Sequence, residues 1–575
     1  MESSLMIDRA PTAPARLSQP FVRLFLLTAA LAMSVTTCPA LAQVGNVAGA
    51  GESDKAHAPP KPSTLSQADD QKDQKDENCK DKEKNGDDKD KDKKEEMQNI
   101  LQLVAEGKMT VEQAQTKLAE KPEEKKDDDK DKEENTCKLL PEGWNFHAQT
   151  TLIASLDPGF GAKYSGPNSL GPQAERRGTV SADLYLGVPL WHGAEFHADL
   201  LMWQGFGLSN SFGLEAFPNA DAYKAGSVDP RFMFSHFFVR QTCGLGGEQE
   251  DVPDGPFTLP GKRDVSRVTI TAGRLNMADL FDSNTYNHDP HTQFMSWAST
   301  TLSWDYPADT IGYTTGIAIE LNQPDWTLRY GWFQLPSVPN GFTSDDRIFN
   351  YPVEPGEKTS DGEFWKEWGM ITELERRWHI GDHPGAIRLE AWLDYGRLAS
   401  YSAATTLLLA SPPPPTPPGA EITVPAAAFG FHTKYGFGMN WEQEIAKNVG
   451  TFGRLGWQDG HIAAAAFTDA DWTVQLGLSV KGAAWRRPGD TFGLLGNLVG
   501  ASSEQQAFLK AGGTGILNGD GNLSYDCEKS LETYYDFAIG KSLHLAFDYQ
   551  FFADLAFNRD RGPVNVFQGR LHWDY

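Results

Sequence analysis

Five cysteines in 575 residues, at positions 38, 79, 137, 243 and 527 with no CxxC pair among them, exclude a dense disulfide framework and a zinc site of clustered thiols. Beyond the first forty residues there is no run of about 18 apolar residues, which excludes a bundle of transmembrane helices. Basic residues are also short: 52 Lys and Arg stand against 78 Asp and Glu, a formal net charge of −26. A nucleic-acid partner needs a basic surface and is excluded by that balance. No G-x-S-x-G or similar sequence positions a nucleophile, and no metal or cofactor motif occurs, so the chain does not read as an enzyme. What is plentiful is glycine (55) and aromatics (Phe 32, Trp 16, Tyr 16), in a chain that is 39% hydrophobic; that mixture suits a β-protein with many turns and aromatic surfaces.

Residues 1–42 read as a secretory signal. Arg9, Arg16 and Arg23 form a basic start, Leu24 to Met33 an apolar stretch, and Ala40-Leu41-Ala42 a small-x-small cleavage pattern before Gln43. Acylation at Cys38 is disfavoured because Val35-Thr36-Thr37 lacks the small residues that precede such a cysteine.

Residues 43–137 read as a charged tether. Positions 51–137 carry 26 acidic and 18 basic residues, and Asp87 to Lys94 has no apolar side chain, so burial cannot offset the entropy of ordering. One helical segment near 95–120 interrupts it: Met97, Ile100, Leu101, Val104, then Met109, Val111, Ala114 and Leu118, with Gly107 as a break. It is either a docking hairpin for a periplasmic or envelope partner or a marginal helix in a spacer. Cys79 and Cys137 share this tether in an oxidising compartment and are expected to pair, leaving Cys243 and Cys527 as bystanders.

From 138 to 575 the polarity alternates residue by residue. Phe567, Leu571, Trp573 and Tyr575 oppose Gln568, Arg570, His572 and Asp574; Ile387, Leu389 and Leu393 oppose Arg388, Glu390 and Asp394. Sixteen such segments are found, the first near 144–156 and the last near 563–575, joined alternately by short turns and longer polar loops. The connection 243–265 is the exception, being long where a short turn is expected. A soluble sandwich or propeller also alternates. Three features separate the two: strands of about ten residues, Trp and Tyr at the ends of apolar faces (Trp144, Trp326, Trp332, Trp368, Trp378, Trp441, Trp457, Trp472), and an aromatic last residue. The fold expected is a 16-stranded antiparallel transmembrane β-barrel.

A barrel of that size encloses water, so specificity requires a constriction. The third outer loop, 275–311, holds Asp279, Asp282, Asn284, Tyr286, His288, Asp289, His291, Gln293, Trp297 and Trp304, the acceptors, donors and flat faces that complement a sugar. Strand parity turns Arg240, Arg274, Arg329 and Arg388 inward with Asp199, Glu320, Glu373 and Glu390. These charges set a transverse field between facing walls, or pair with one another and stiffen the wall, or do both. Arg274, ending its strand, is expected to brace the loop through Asp279 and Asp282. His147, His197, His236 and His544 also face inward and read as satisfied lumen histidines.

Along 144–575 the sequence resembles the carbohydrate-selective porins of the OprB type. The resemblance rests on Tyr164-Ser165-Gly166-Pro167-Asn168-Ser169-Leu170, Phe217-Pro218-Asn219, Arg240-Gln241-Thr242, Ala272-Gly273-Arg274, Asp279-Leu280-Phe281-Asp282, His288-Asp289-Pro290, Trp304-Asp305-Tyr306-Pro307-Ala308-Asp309 and Arg559-Asp560-Arg561-Gly562-Pro563, in that order. It implies passive diffusion of mono- and oligosaccharides across the outer membrane of a Gram-negative bacterium, without cofactor. Outer-membrane lipid and lipopolysaccharide would surround the barrel, and the barrel-assembly machinery would engage the C-terminal strand ending in Tyr575. The tether and the run Pro412 to Pro418 depart from the family pattern. An anion porin is disfavoured by 31 basic against 50 acidic residues in 138–575. The competing reading is a general or structural barrel anchored to the envelope through its N-terminal extension.

Overall fold

The computed structural model describes residues 141–222, 226–340, 362–411, 424–466 and 468–575. The signal, the tether with its helical segment, Cys79, Cys137 and the polyproline run lie outside the described residues.

Sixteen antiparallel strands close on themselves. In chain order they are β1 (Asn145–Asp157), β2 (Glu175–Trp191), β3 (Ala194–Phe206), β4 (Ser227–Gly244), β7 (Arg267–Leu275), β8 (Thr314–Asn322), β9 (Trp326–Gln334), β10 (Trp368–Ile380), β11 (His383–Ala399), β12 (Phe429–Ala446), β13 (Val449–Gln458), β14 (Trp472–Lys481), β15 (Thr491–Gly500), β16 (Glu528–Ile539), β17 (Leu543–Ala553) and β18 (Val564–Asp574). Two short strands, β5 (Gln249–Val252) and β6 (Gly261–Asp264), pair only with each other. Each barrel strand falls on one of the sixteen alternating segments of the sequence.

Closure is made by β1 against β18, from Gln149 opposite Asp574 to Leu156 opposite Phe567. It leaves no free edge, the condition for a sheet to cross lipid. The seam also shows what alternation achieves. Inside, Thr151 meets the ring of His572 at 2.8 Å and Ser155 donates to Gln568 at 2.5 Å; outside, Leu152 and Leu571 are exposed. Adjacent residues divide the same way elsewhere. Leu476 is 61% exposed beside Gln475 at 3%, and Phe547 58% beside Asp548 at 4%. A soluble sheet buries its apolar face, whereas here the greasy side is the outer one, as a lipid-facing band requires.

Short turns join the strands at the end that carries both Asn145 and Asp574, and long loops cover the other end. The long loops build a small core of their own from Leu170, Leu214, Tyr401, Leu408, Phe508, Leu555 and Phe557. Two helices, Tyr401–Ala410 and Ser503–Lys510, hold the rings of Tyr401 and Phe508 5.2 Å apart. Each is capped by a serine, Ser400 accepting from the Ala403 N–H and Ser502 from the Gln505 N–H. These helices lie where polar loops are expected from the sequence, because turns this short bury too few residues to leave a clear apolar stripe.

Cys527 is a free thiol, but Cys243 is disulfide-bonded. The bystander reading of Cys243 is thereby corrected. Spacing along the chain carries no information on which thiols meet.

Candidate functional site

The third outer loop, 276–313, folds into the barrel instead of over it. It starts with a 3-10 turn, Met277–Asp279, capped by Asn276, whose side chain accepts from the Ala278 N–H at 2.9 Å. It then runs across to the far wall. Asp282 accepts from Arg454 Nε on β13 at 2.8 Å and from Asn440 Nδ2 on β12 at 2.6 Å, while its own N–H donates to Glu373 on β10 at 2.8 Å. Asp282 takes φ of 55°, a left-handed conformation that Asp tolerates better than most residues. Farther on, the Met295 N–H donates to Glu532 on β16 at 2.5 Å, and Arg570 on β18 donates to the carbonyls of Pro290 and Gln293 at 2.8 and 2.7 Å. The loop returns through Asp305, 3.3 Å from Lys434, and Asp309, 2.9 Å from Arg274. Two wall glycines admit it: a Cβ on Gly438 would stand 2.4 Å from Leu302, and one on Gly450 2.0 Å from the ring of Tyr286.

Between this loop and β1 to β4 lies a cavity of about 520 Å³, well within the size range of small-molecule sites. Asp183, Asp199, Asp221, Asp279 and Asp289 supply carboxylates, His236, His288 and His291 imidazoles, and Tyr185, Phe257, Trp297, Tyr306 and Tyr313 flat faces. The polar groups are held in place: His236 Nε2 lies 2.6 Å from Asp279, His291 Nε2 3.1 Å from Asp221, and Gln149 donates to Asp183 at 2.8 Å and to Tyr185 Oη at 2.7 Å. A smaller pocket of about 150 Å³ is lined by Arg240, Arg263, Arg267 and Arg329 together with Glu320. Carboxylates and aromatics thus gather in one compartment and guanidinium groups in the other.

The residues singled out from the sequence divide three ways. Asp199, Asp279, His288, Asp289, His291 and Trp297 line the cavity, and Arg240, Glu320 and Arg329 line the arginine pocket. Arg274, Asp282, Trp304, Glu373, Arg388 and Glu390 are buried and line neither. Trp304 packs edge-on against Trp392 at 5.2 Å. Arg274 does brace the loop, but through Asp309, since Asp279 is engaged by His236 and Asp282 by Arg454. Part of the wall charge is paired: Arg329 bridges Glu320, Glu373 and Glu375, and Arg388 bridges Glu375 and Glu442, along β8 to β12. This pairing stiffens the wall from β8 to β12. The four histidines that parity turns inward are each partnered by a carboxylate: His147 with Asp254, His197 with Glu195, His236 with Asp279 and His544 with Asp536.

Asp183, Tyr185 and Asp221 were not singled out from the sequence, although Asp183 and Tyr185 fall on the polar parity of their strand. Phe257 had only one signal, the unexpected length of the connection that carries it.

A family model described as the carbohydrate-selective porin, OprB family, matches residues 168–575. No curated protein matches the chain by sequence. Among solved structures, the high-pH form of OprB from Pseudomonas putida is 15% identical, with 75% of this chain and 94% of that one covered and a TM-score of 0.55. Its low-pH form is 12% identical, covering 75% and 93%, with a TM-score of 0.39. OpdK from Pseudomonas aeruginosa is 11% identical, covering 75% and 98%, with a TM-score of 0.36. At such identity the first likeness shows the barrel fold, and the family match covers most of the barrel. The chain belongs to the OprB family of carbohydrate-selective porins, sugar channels of the Gram-negative outer membrane.

Proposed function

We propose that the cavity beside the third loop is the selective segment of the channel, through which neutral mono- and oligosaccharides diffuse passively. The observation that carries this reading is the loop itself, fastened to strands on several sides of the barrel, next to a compartment that mixes carboxylates, imidazoles and aromatic faces. Sugar hydroxyls exchange hydrogen bonds with the carboxylates and imidazoles, and C–H faces lie on the rings. Asp279 and Asp289 make the first polar contacts, His288 and Trp297 border them, and Arg240, Glu320 and Arg329 receive hydroxyls in the smaller pocket. Arg274, Asp282, Trp304, Glu373, Arg388 and Glu390 shape the passage from behind.

Around this channel we place the other roles read from the sequence. Residues 1–42 direct export, 43–137 reach a periplasmic or envelope partner, the outer band meets lipid and lipopolysaccharide, and the strand ending in Tyr575 is read by the barrel-assembly machinery. The protein acts without catalysis or cofactor. The inward histidines serve as hydrogen-bonding wall groups.

Sugar titration of the ion current through single channels in a planar bilayer tests the reading. Glucose is expected to reduce the current of the parent, and Asp279→Asn with Asp289→Asn to weaken that block several-fold. An undiminished block in the double variant would place the selective segment elsewhere.

A further inference from the structure

The connection from β4 to β7 lies at the short-turn end, yet it spans 245–266 and forms the separate β5–β6 hairpin. Its tip, 253–258, does not hang free. Asn145 Nδ2 donates to Asp254 at 2.7 Å and to the carbonyls of Gly255 and Thr258 at 3.0 Å each. Arg240 Nη1 donates to the Phe257 carbonyl at 2.6 Å, His147 Nε2 lies 3.3 Å from Asp254, and Arg263 pairs with Glu195. The ties to the insert therefore come from three wall strands, β1, β3 and β4, with β2 between the first two.

Their common effect is to hold one aromatic ring inside the barrel. The Phe257 ring centroid lies 4.4 Å from that of His236, 5.1 Å from Tyr185 and 5.7 Å from Phe238. Phe257, Tyr185 and His236 all line the large cavity. We propose that Phe257 is a specificity-determining residue, an aromatic platform that the periplasmic insert supplies to the inner end of the sugar passage. The proposal rests on the sugar-channel reading and adds a second selective element, which enters from the opposite end and meets the third loop through His236, itself held by Asp279. A ring fixed by backbone and side-chain ties on three strands is already ordered before solute arrives, so stacking incurs little further entropy loss. A saccharide that passes must offer the ring a C–H face and fit the gap it leaves. A bulkier sugar is retarded.

The test is swelling of liposomes carrying the full-length protein, in glucose, sucrose and raffinose, for the parent, Phe257→Ala, Phe257→Trp and Asn145→Ala. Heat-modifiable migration on gels confirms a folded barrel in each, and Asn145→Ala, which frees the tip but keeps the ring, stands in should Phe257→Ala not fold. Phe257→Ala is expected to raise the sucrose-to-glucose rate ratio roughly three- to tenfold, the range that the loss of an aromatic contact allows. Asn145→Ala is expected to move the ratio the same way and Phe257→Trp to lower it. Ratios equal to the parent's in Phe257→Ala and Asn145→Ala overturn the proposal. Failure of the parent itself to swell in glucose faster than protein-free liposomes overturns the channel reading instead, so the two failures are distinguishable.

Discussion

Arg454 of β13 and Asp282 of the third loop, 172 positions apart in the chain, form a 2.8 Å ion pair in which neither side chain is more than 1% exposed. β13 stands six strands round the barrel from β7, where the loop begins, so this pair fastens the loop across the lumen. Arg454 also donates to the carbonyls of Asp282 and Asn287, which leaves its charge well compensated only while the loop is seated.

Removing one partner of such a pair strands the other. Asp282→Ala is expected to destabilise the seated loop by about 3–5 kcal/mol, to lower the temperature at which the barrel loses its heat-resistant gel mobility, and to raise single-channel conductance. Asp282→Asn keeps a residue that tolerates φ of 55° and an acceptor for Arg454, so a smaller effect on both measurements is expected.

The thiols are sorted by labelling without reduction. Iodoacetamide is expected to modify Cys527 in the detergent-unfolded native protein, while Cys243 becomes reactive only after reduction. Peptide mapping of the unreduced protein then identifies the cysteine joined to Cys243. A free thiol at Cys243 in the exported protein contradicts the disulfide.

A pH series tests the latch at the short-turn end. Burial raises the Asp254 carboxyl, but hydrogen bonds from Asn145 and His147 outweigh it and hold the group below its ordinary value of 3.8. A carboxylate with a depressed folded pKa stabilises the latch above its unfolded pKa and loses that contribution as pH falls through the folded one. The sucrose-to-glucose ratio is therefore expected to stay flat from pH 7 to pH 5 and to rise only below about pH 4. Asp254→Asn, with no charge to lose, is expected to flatten the acid limb.

The sixteen strands were legible because a sheet with lipid on one side and water on the other forces polarity to alternate at every step, as at Arg570, Leu571, His572 and Trp573. The lumen face followed from the same parity, which is why Arg240, Glu320 and Arg329 reappear in a pocket wall. Partnership did not follow. Arg274 chooses Asp309 over nearer carboxylates in the chain, and Trp304 is lost to packing against Trp392, because both depend on how the loop threads back after crossing the lumen. Beyond the length of its connection, Phe257 gave no sign for the same reason: nothing local to Pro256-Phe257-Thr258 says that Asn145, more than a hundred residues earlier, will pull that tip inward.

The most direct measurement of sugar selectivity is the swelling rate of liposomes holding the purified parent, in glucose against gluconate, an anion of similar size, and the smaller phosphate. Neutral sugar is expected to enter faster than either anion, in keeping with five aspartates round the cavity. Equal or faster entry of gluconate or phosphate would contradict a channel selective for carbohydrates.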